Sequence, residues 1–183
     1  REREQARGVL FHIVRVVIAL DDEKPHDRRR HAAEQVQQIF AGKINNWKSV
    51  GGRDAAIHLF TRDEASGTRE VFWEKLLKKG PIADSANVVA SNGAMKSALA
   101  GDPEAIGYVS IGHIDDTIKA PNLDGITPSQ DNARSGKYPV VRKLYMNTKG
   151  EPQGITRGFV DYIFTPAGQE IVSKAGYIPY VKK

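Results

Sequence analysis

An α/β fold is predicted by this sequence on three observations. Short apolar runs of strand length alternate with stretches whose apolar residues recur at helical spacing. Glycine, proline and small polar residues fall between them, where turns and helix ends need them. No heptad array, low-complexity tract or internal repeat offers a competing architecture.

The first apolar run, Gly8 to Leu20, resembles a leader or membrane segment until its details are read. A bilayer span needs about 20 apolar residues. Arg15 interrupts this run, and no small-x-small cleavage site follows before Asp21, so a signal peptide is not expected in this chain and a buried β-strand is. Asp21 to His31 then forms a polar link with Pro25 and the triplet Arg28-Arg29-Arg30. Glu34 to Ala41 sets Val36, Ile39 and Phe40 on one helical face, and Gly42 stops it. The stretch Ile44-Asn45-Asn46-Trp47, closed by Gly51-Gly52, reads as a loop anchored by a buried Trp47. Residues 55–61 read as a strand with Ile57, Leu59 and Thr61 on one side.

Arg62-Asp63-Glu64-Ala65-Ser66-Gly67-Thr68 follows, then a helix to Lys79 with Val71, Phe72, Leu76 and Leu77 inward, ended by Gly80-Pro81. Residues 88–90 form a short strand. Ser91-Asn92 caps a helix over residues 93–100, and residues 105–110 return as a strand after Gly101-Asp102-Pro103. Residues 121–136 are loop, and residues 140–147 form a strong strand. Helices over 153–164 and 167–175 are separated by Thr165-Pro166, which puts a proline at a helix start. Residues 177–181 are extended.

Composition narrows the function classes. The chain has 183 residues, 40% hydrophobic and 27% charged, which suits one or two globular domains. A net charge of +5 favours an anionic partner. The basic residues are scattered among acids apart from the Arg28–Arg30 triplet, and no nucleic-acid-binding motif accompanies them, so nucleic acid is not expected. The lack of cysteine removes disulfides, thiolate zinc sites and cysteine nucleophiles together. His12, His26, His31, His58 and His113 show no metal-ligand spacing, so neither metal nor cofactor is expected.

The chemistry lies in the order strand, Arg62-x-x-x-Ser66-Gly67-Thr68, helix. A helix N-terminus carries unpaired N–H groups and about half a positive charge, which suits an oxyanion. Gly67 admits close approach of the ligand, Ser66 and Thr68 add hydroxyl donors, and Arg62 supplies a planar charged fork. Asp63 is expected to orient Arg62. Taken alone, the pattern fits a serine cap beside a solvated arginine better than an anion site. The nucleotide phosphate loop Gly-x-x-x-x-Gly-Lys is absent. Ser66 sits in no Gly-x-Ser-x-Gly elbow and has no general base beside it, so catalysis is not expected.

The stretch Val-Gln-Gln-Ile-Phe-Ala-Gly-Lys-Ile-Asn-Asn-Trp at 36–47 resembles the helix and loop of the periplasmic phosphate-binding proteins of ATP-driven importers. Thr61–Thr68, Ser91–Ala94 with Lys96, Ala105–Ser110, and Gly168–Ile171 with Gly176-Tyr177 resemble the same family in the same order. The resemblance implies two α/β lobes, each with a mixed sheet, around a cleft that holds the anion. Residues 45–125 map to the second lobe with the anion loop. Residues 1–44 and 126–183 map to a first lobe that is incomplete, because residues 1–32 match poorly and the family's longer N-terminal part has no counterpart. It implies inorganic phosphate as ligand, bound by Arg62, Ser66, Gly67 and Thr68 with Asp63 in support. It further implies the permease of an ABC importer as partner and a periplasmic or extracellular location. An incomplete first lobe would expose apolar surface and favour self-association. Two alternatives stay open: an oxyanion-sensing module of the same fold, and an enzyme acting on a phosphorylated substrate.

Overall fold

The computed structural model describes residues 7–18 (main chain), 32–118, 120–175 and 177–180. Among them, five strands form one mixed sheet: β1 (Arg7–Ile18), β2 (His58–Arg62), β3 (Asn87–Val89), β4 (Ala105–Ser110) and β5 (Val141–Met146), in spatial order β3-β2-β4-β1-β5. β2 runs parallel to both β3 and β4, while β1 runs antiparallel to β4 and β5. The helices are α1 (Ala32–Phe40), α2 (Gly67–Lys75), α3 (Asn92–Gly101), α4 (Gln130–Arg134), α5 (Gly154–Ile163) and α6 (Pro166–Lys174). The α/β class expected from the alternation is the one observed. β1, from before residue 45, pairs with β4, and β5, from after residue 125, pairs with β1. The polar link Asp21–His31, with His26, His31 and the arginine triplet, lies outside the described residues.

β4 is buried along all six residues, which is how a parallel-type strand covered on both faces reads. Its alternation sends Ile106 and Tyr108 to one core and Ala105 and Val109 to another. On the first side Phe72 of α2 stacks on Tyr108 at 4.1 Å between ring centres, and Phe40 of α1 meets Phe72 edge-on at 4.6 Å. Such offset and edge contacts add about 0.5–1.5 kcal/mol beyond simple burial. On the second side Met95 and Leu99 of α3 lie over β4. A Cβ at Gly107 would come within 2.6 Å of Met95 Sδ and 3.2 Å of Leu99 Cδ2, so glycine there is what lets α3 settle on the strand.

Three elements differ from the sequence reading. Residues 55–57 do not belong to β2; they pair with the preceding loop, Trp47 N–H donating to Ala55 O and Ile57 N–H to Asn45 O, both at 2.9 Å. α2 ends at Lys75 rather than Lys79, with Leu76 and Leu77 both buried just beyond it. Lys78 and Lys79 adopt positive φ there (53° and 62°), and Trp73 Nε1–H ties the turn by donating to Gly80 O at 2.8 Å. Residues 121–136 contain α4, a five-residue helix capped by Ser129 and too short to show periodicity in sequence. Trp47 is buried as expected, its Nε1–H donating to Glu104 O at 3.0 Å.

Candidate functional site

β2 delivers Arg62 at its C-terminal end, residues 63–65 turn, and α2 begins at Gly67 with Ser66 as its cap. The cap forms because Ser66 is extended (φ −72°, ψ 113°) and its Oγ accepts from Arg69 N–H at 3.2 Å. Ser66 N–H in turn donates to Asp63 O at 3.1 Å, which closes the turn. Gly67 and Thr68 therefore sit in the first helical turn, where the helix itself supplies no acceptor for their N–H groups. Ser66 and Thr68 are both buried.

The end of β2 is held from beneath by Tyr108. Its hydroxyl accepts from Arg62 N–H at 3.0 Å and shares a 2.9 Å hydrogen bond with Thr61 Oγ1. Burial pushes the Tyr108 phenol up, against the hydrogen bond from Thr61, so it stays neutral and polar in the core. The Arg62 guanidinium is gripped by the turn before α3. Nη2–H donates to Ala90 O at 3.0 Å, and Nη1–H to Asn92 Oδ1 at 3.5 Å. The Asp63 carboxylate stands farther off, 3.6 Å from Arg62 Nη2. Ser91 caps α3, its Oγ accepting from Ala94 N–H at 3.0 Å.

Two further arginines reach the same helix start. Arg69 lies in the first turn of α2, with Glu64 at 3.8 Å. Arg142 arrives from β5; its Nη1–H donates to Glu70 Oε2 at 3.1 Å, and its guanidinium lies against Gly67. A Cβ on Gly67 would overlap Arg142 Nη2 and lie 3.0 Å from its Cζ. The glycine thus makes room for an arginine of this chain, and close approach by a ligand is not its only explanation.

In each of these pairs the cation is the less exposed member. Arg62, Arg69 and Arg142 side chains are 11%, 24% and 32% exposed, against 44%, 92% and 61% for Asp63, Glu64 and Glu70. Among the described residues four buried side-chain polar atoms lack a hydrogen-bond partner, and three of them are Nε of these arginines. Cations turned inward around a helix N-terminus oppose its dipole and call for an anion. A cavity of about 660 Å³ opens beside the loop, lined in part by Ser66, Gly67, Arg69, Trp73 and Lys79.

The structure places Ser66 as the cap of α2 and Gly67 and Thr68 in its first turn, with Arg62 at the end of the preceding strand, its guanidinium against Ala90 O and Asn92 and 3.6 Å from Asp63. Sequence reading missed Arg69, Arg142 and the Tyr108 floor. Arg69 carried a signal, since a cation in the first helical turn runs against the dipole. Arg142 carried none, being separated from Glu70 by 72 positions. Among the described residues no group of three or more His, Cys, Asp or Glu could hold a metal ion, and no helix is long and apolar enough to cross a membrane.

The sheet, with β2 parallel to both its neighbours and leading through a turn into a capped helix, is α/β in class, and the PBP superfamily domain matches residues 1–167. The chain belongs to that superfamily. It is 37% identical over 148 residues to phosphate-binding protein PstS of Bacillus subtilis, a match spanning 80% of this chain and 49% of the relative. It is 32% identical over 158 residues to phosphate-binding protein PstS of Borreliella burgdorferi, spanning 79% of this chain and 56% of the relative. The chain therefore spans about half the length of the curated relatives it matches. Among solved structures, a phosphate ABC transporter substrate-binding protein with bound phosphate from Clostridium perfringens superposes with a TM-score of 0.84 at 28% identity, over 97% of this chain and 72% of the other. An ABC-type phosphate transport receptor from Vibrio cholerae gives 0.78 at 27%, over 98% and 74%.

Proposed function

We propose that this chain binds inorganic phosphate as part of an exported solute-binding protein, which delivers the anion to the permease of an ATP-driven importer. The observation that carries this reading is the largely buried Arg62 guanidinium beside the capped start of α2, in a chain similar to proteins named for phosphate binding. The roles divide by chemistry. The N–H groups of Gly67 and Thr68 and the hydroxyls of Ser66 and Thr68 donate to phosphate oxygens, and Arg62 supplies the fork and the charge. Asp63 supports Arg62 from the solvent side. No bond is made or broken, so the activity is binding rather than catalysis.

Asp63, Glu64 and Glu70 each face an arginine. Recognition at this loop is by donors alone, and donors alone do not separate hydrogen phosphate from sulfate. The 183-residue chain is expected to bind phosphate with a Kd weaker than about 1 μM and to prefer it over sulfate by less than about tenfold. Calorimetric titration with phosphate, sulfate and a phosphomonoester checks this, repeated on Arg62→Ala. Phosphate affinity should fall at least about tenfold in that variant, as loss of a charge-assisted fork does. Unchanged binding in Arg62→Ala refutes the site, and sub-micromolar phosphate binding refutes the donor-only account.

A further inference from the structure

The geometry points to Arg142 as a second anion-binding guanidinium, held at the loop by Glu70 until an anion arrives and then turned onto it. The inference rests on the phosphate reading above and deepens it by adding a specificity-determining residue from a different strand. Three observations carry it. Arg142 leaves β5 and lays its guanidinium against Gly67, the first residue of α2, where the positive end of the helix dipole repels it. Its Nε is buried without a partner, so the Glu70 contact does not satisfy the fork. Glu70 is nearly twice as exposed as Arg142, so the carboxylate is the movable, hydrated member of the pair.

A strap that merely tied β5 to α2 has a different design. It would pair both edges of the guanidinium and have no need of a glycine beneath it. Here the cation lies where a side chain on Gly67 would stand, at the start of α2, with one guanidinium nitrogen unpaired. Thr68 is buried in the same turn. An oxyanion placed at the helix start offers acceptors to Thr68, to the first-turn N–H groups and to Arg142 together. Glu70 then competes with the ligand for one guanidinium.

That competition gives a test with a direction a purely structural role does not produce. Phosphate is titrated calorimetrically into the full chain as wild type, Arg142→Ala, Arg142→Lys, Glu70→Gln and the Glu70→Gln/Arg142→Ala double variant, with far-UV circular dichroism confirming the fold. Arg142→Ala should weaken binding about tenfold or more, and Arg142→Lys should recover part of that loss because it keeps the charge without the fork. Glu70→Gln should strengthen binding a few-fold, about the effect of removing a competing ion pair, and the gain should vanish in the double variant. If Arg142→Ala does not fold, the gain in Glu70→Gln and the loss in Arg142→Lys carry the test. Wild-type affinity in Arg142→Ala or Arg142→Lys, or no gain in Glu70→Gln, overturns the proposal. Should Arg62→Ala abolish binding while both Arg142 variants match wild type, the loop reading stands and only this inference falls. A wild-type chain that takes up no phosphate removes both.

Discussion

At the scale of the residue, Tyr108 sets the position of everything above it. Its ring is fully buried against Phe72 and Phe40, yet its hydroxyl accepts from the N–H of Arg62 and shares a hydrogen bond with the hydroxyl of Thr61. Tyr108→Phe keeps the ring and deletes that oxygen, leaving a buried N–H without an acceptor. A loss of about 1–3 kcal/mol is expected, read as a lower urea midpoint with an unchanged slope. An unchanged midpoint would mean that water reaches the end of β2. The cap at Ser66 and the helix start at Gly67 and Thr68 were legible in sequence because they are local: seven consecutive residues, 62–68, contain the arginine, the turn and the cap. Tyr108 and Arg142 were not, since each meets the loop only after strands far apart in sequence are laid side by side. The tyrosine read simply as part of an apolar strand, and the arginine as one of many basic residues in a chain of net charge +5.

At the scale of the element, helix starts in this fold share a device but do not share a task. Ser66, Ser91, Ser129 and Thr165 each cap a helix through the side-chain oxygen. Thr165→Ala should cost about 1 kcal/mol of stability and leave phosphate affinity unchanged. Ser66→Ala should cost the same and also weaken phosphate binding, because its hydroxyl is counted among the donors. Equal phosphate affinity in the two variants would reduce Ser66 to a cap. Caps and turns were readable because their residue chemistry is obligatory. The ends of β2 and α2 were not, because tertiary burial of Leu76 and Leu77 and pairing of residues 55–57 with the loop overrode the local pattern. Acid stability belongs to this scale too. Lys96 on α3 hydrogen-bonds Asp115 beyond β4, and with Thr117 it holds the Asp115 carboxyl down from 3.8 to about 2. A depressed folded pKa stabilises above the unfolded value and loses that contribution as pH falls through the folded one. Lys96→Met should therefore narrow the stability difference between neutral pH and pH near 2, measured by thermal melts across that window.

At the scale of the whole molecule, one sheet gathers chain from both ends of the described sequence, with β1 and β5 at one side and β2, which leads into the Arg62–Thr68 loop, next to the opposite edge. α5 and α6 pack so closely that a Cβ on Gly168 would overlap the carbonyl oxygen of Tyr162, but α5 keeps Ile155, Phe159 and Tyr162 exposed at helical spacing. That face supports the expectation that this polypeptide self-associates. Ile155→Glu with Phe159→Ser should lower the sedimentation coefficient towards that of a 20.2 kDa monomer. A monomeric wild type at high concentration contradicts it.

The central claim is that phosphate rests on the first turn of α2. Amide nitrogen-15 resonances of the chain, followed as phosphate is added, test it most directly. The account predicts saturable shifts centred on Gly67 and Thr68, with the side-chain Nε resonance of Arg62 moving in step. Shifts confined to residues away from 62–70, or none at millimolar phosphate, would contradict it.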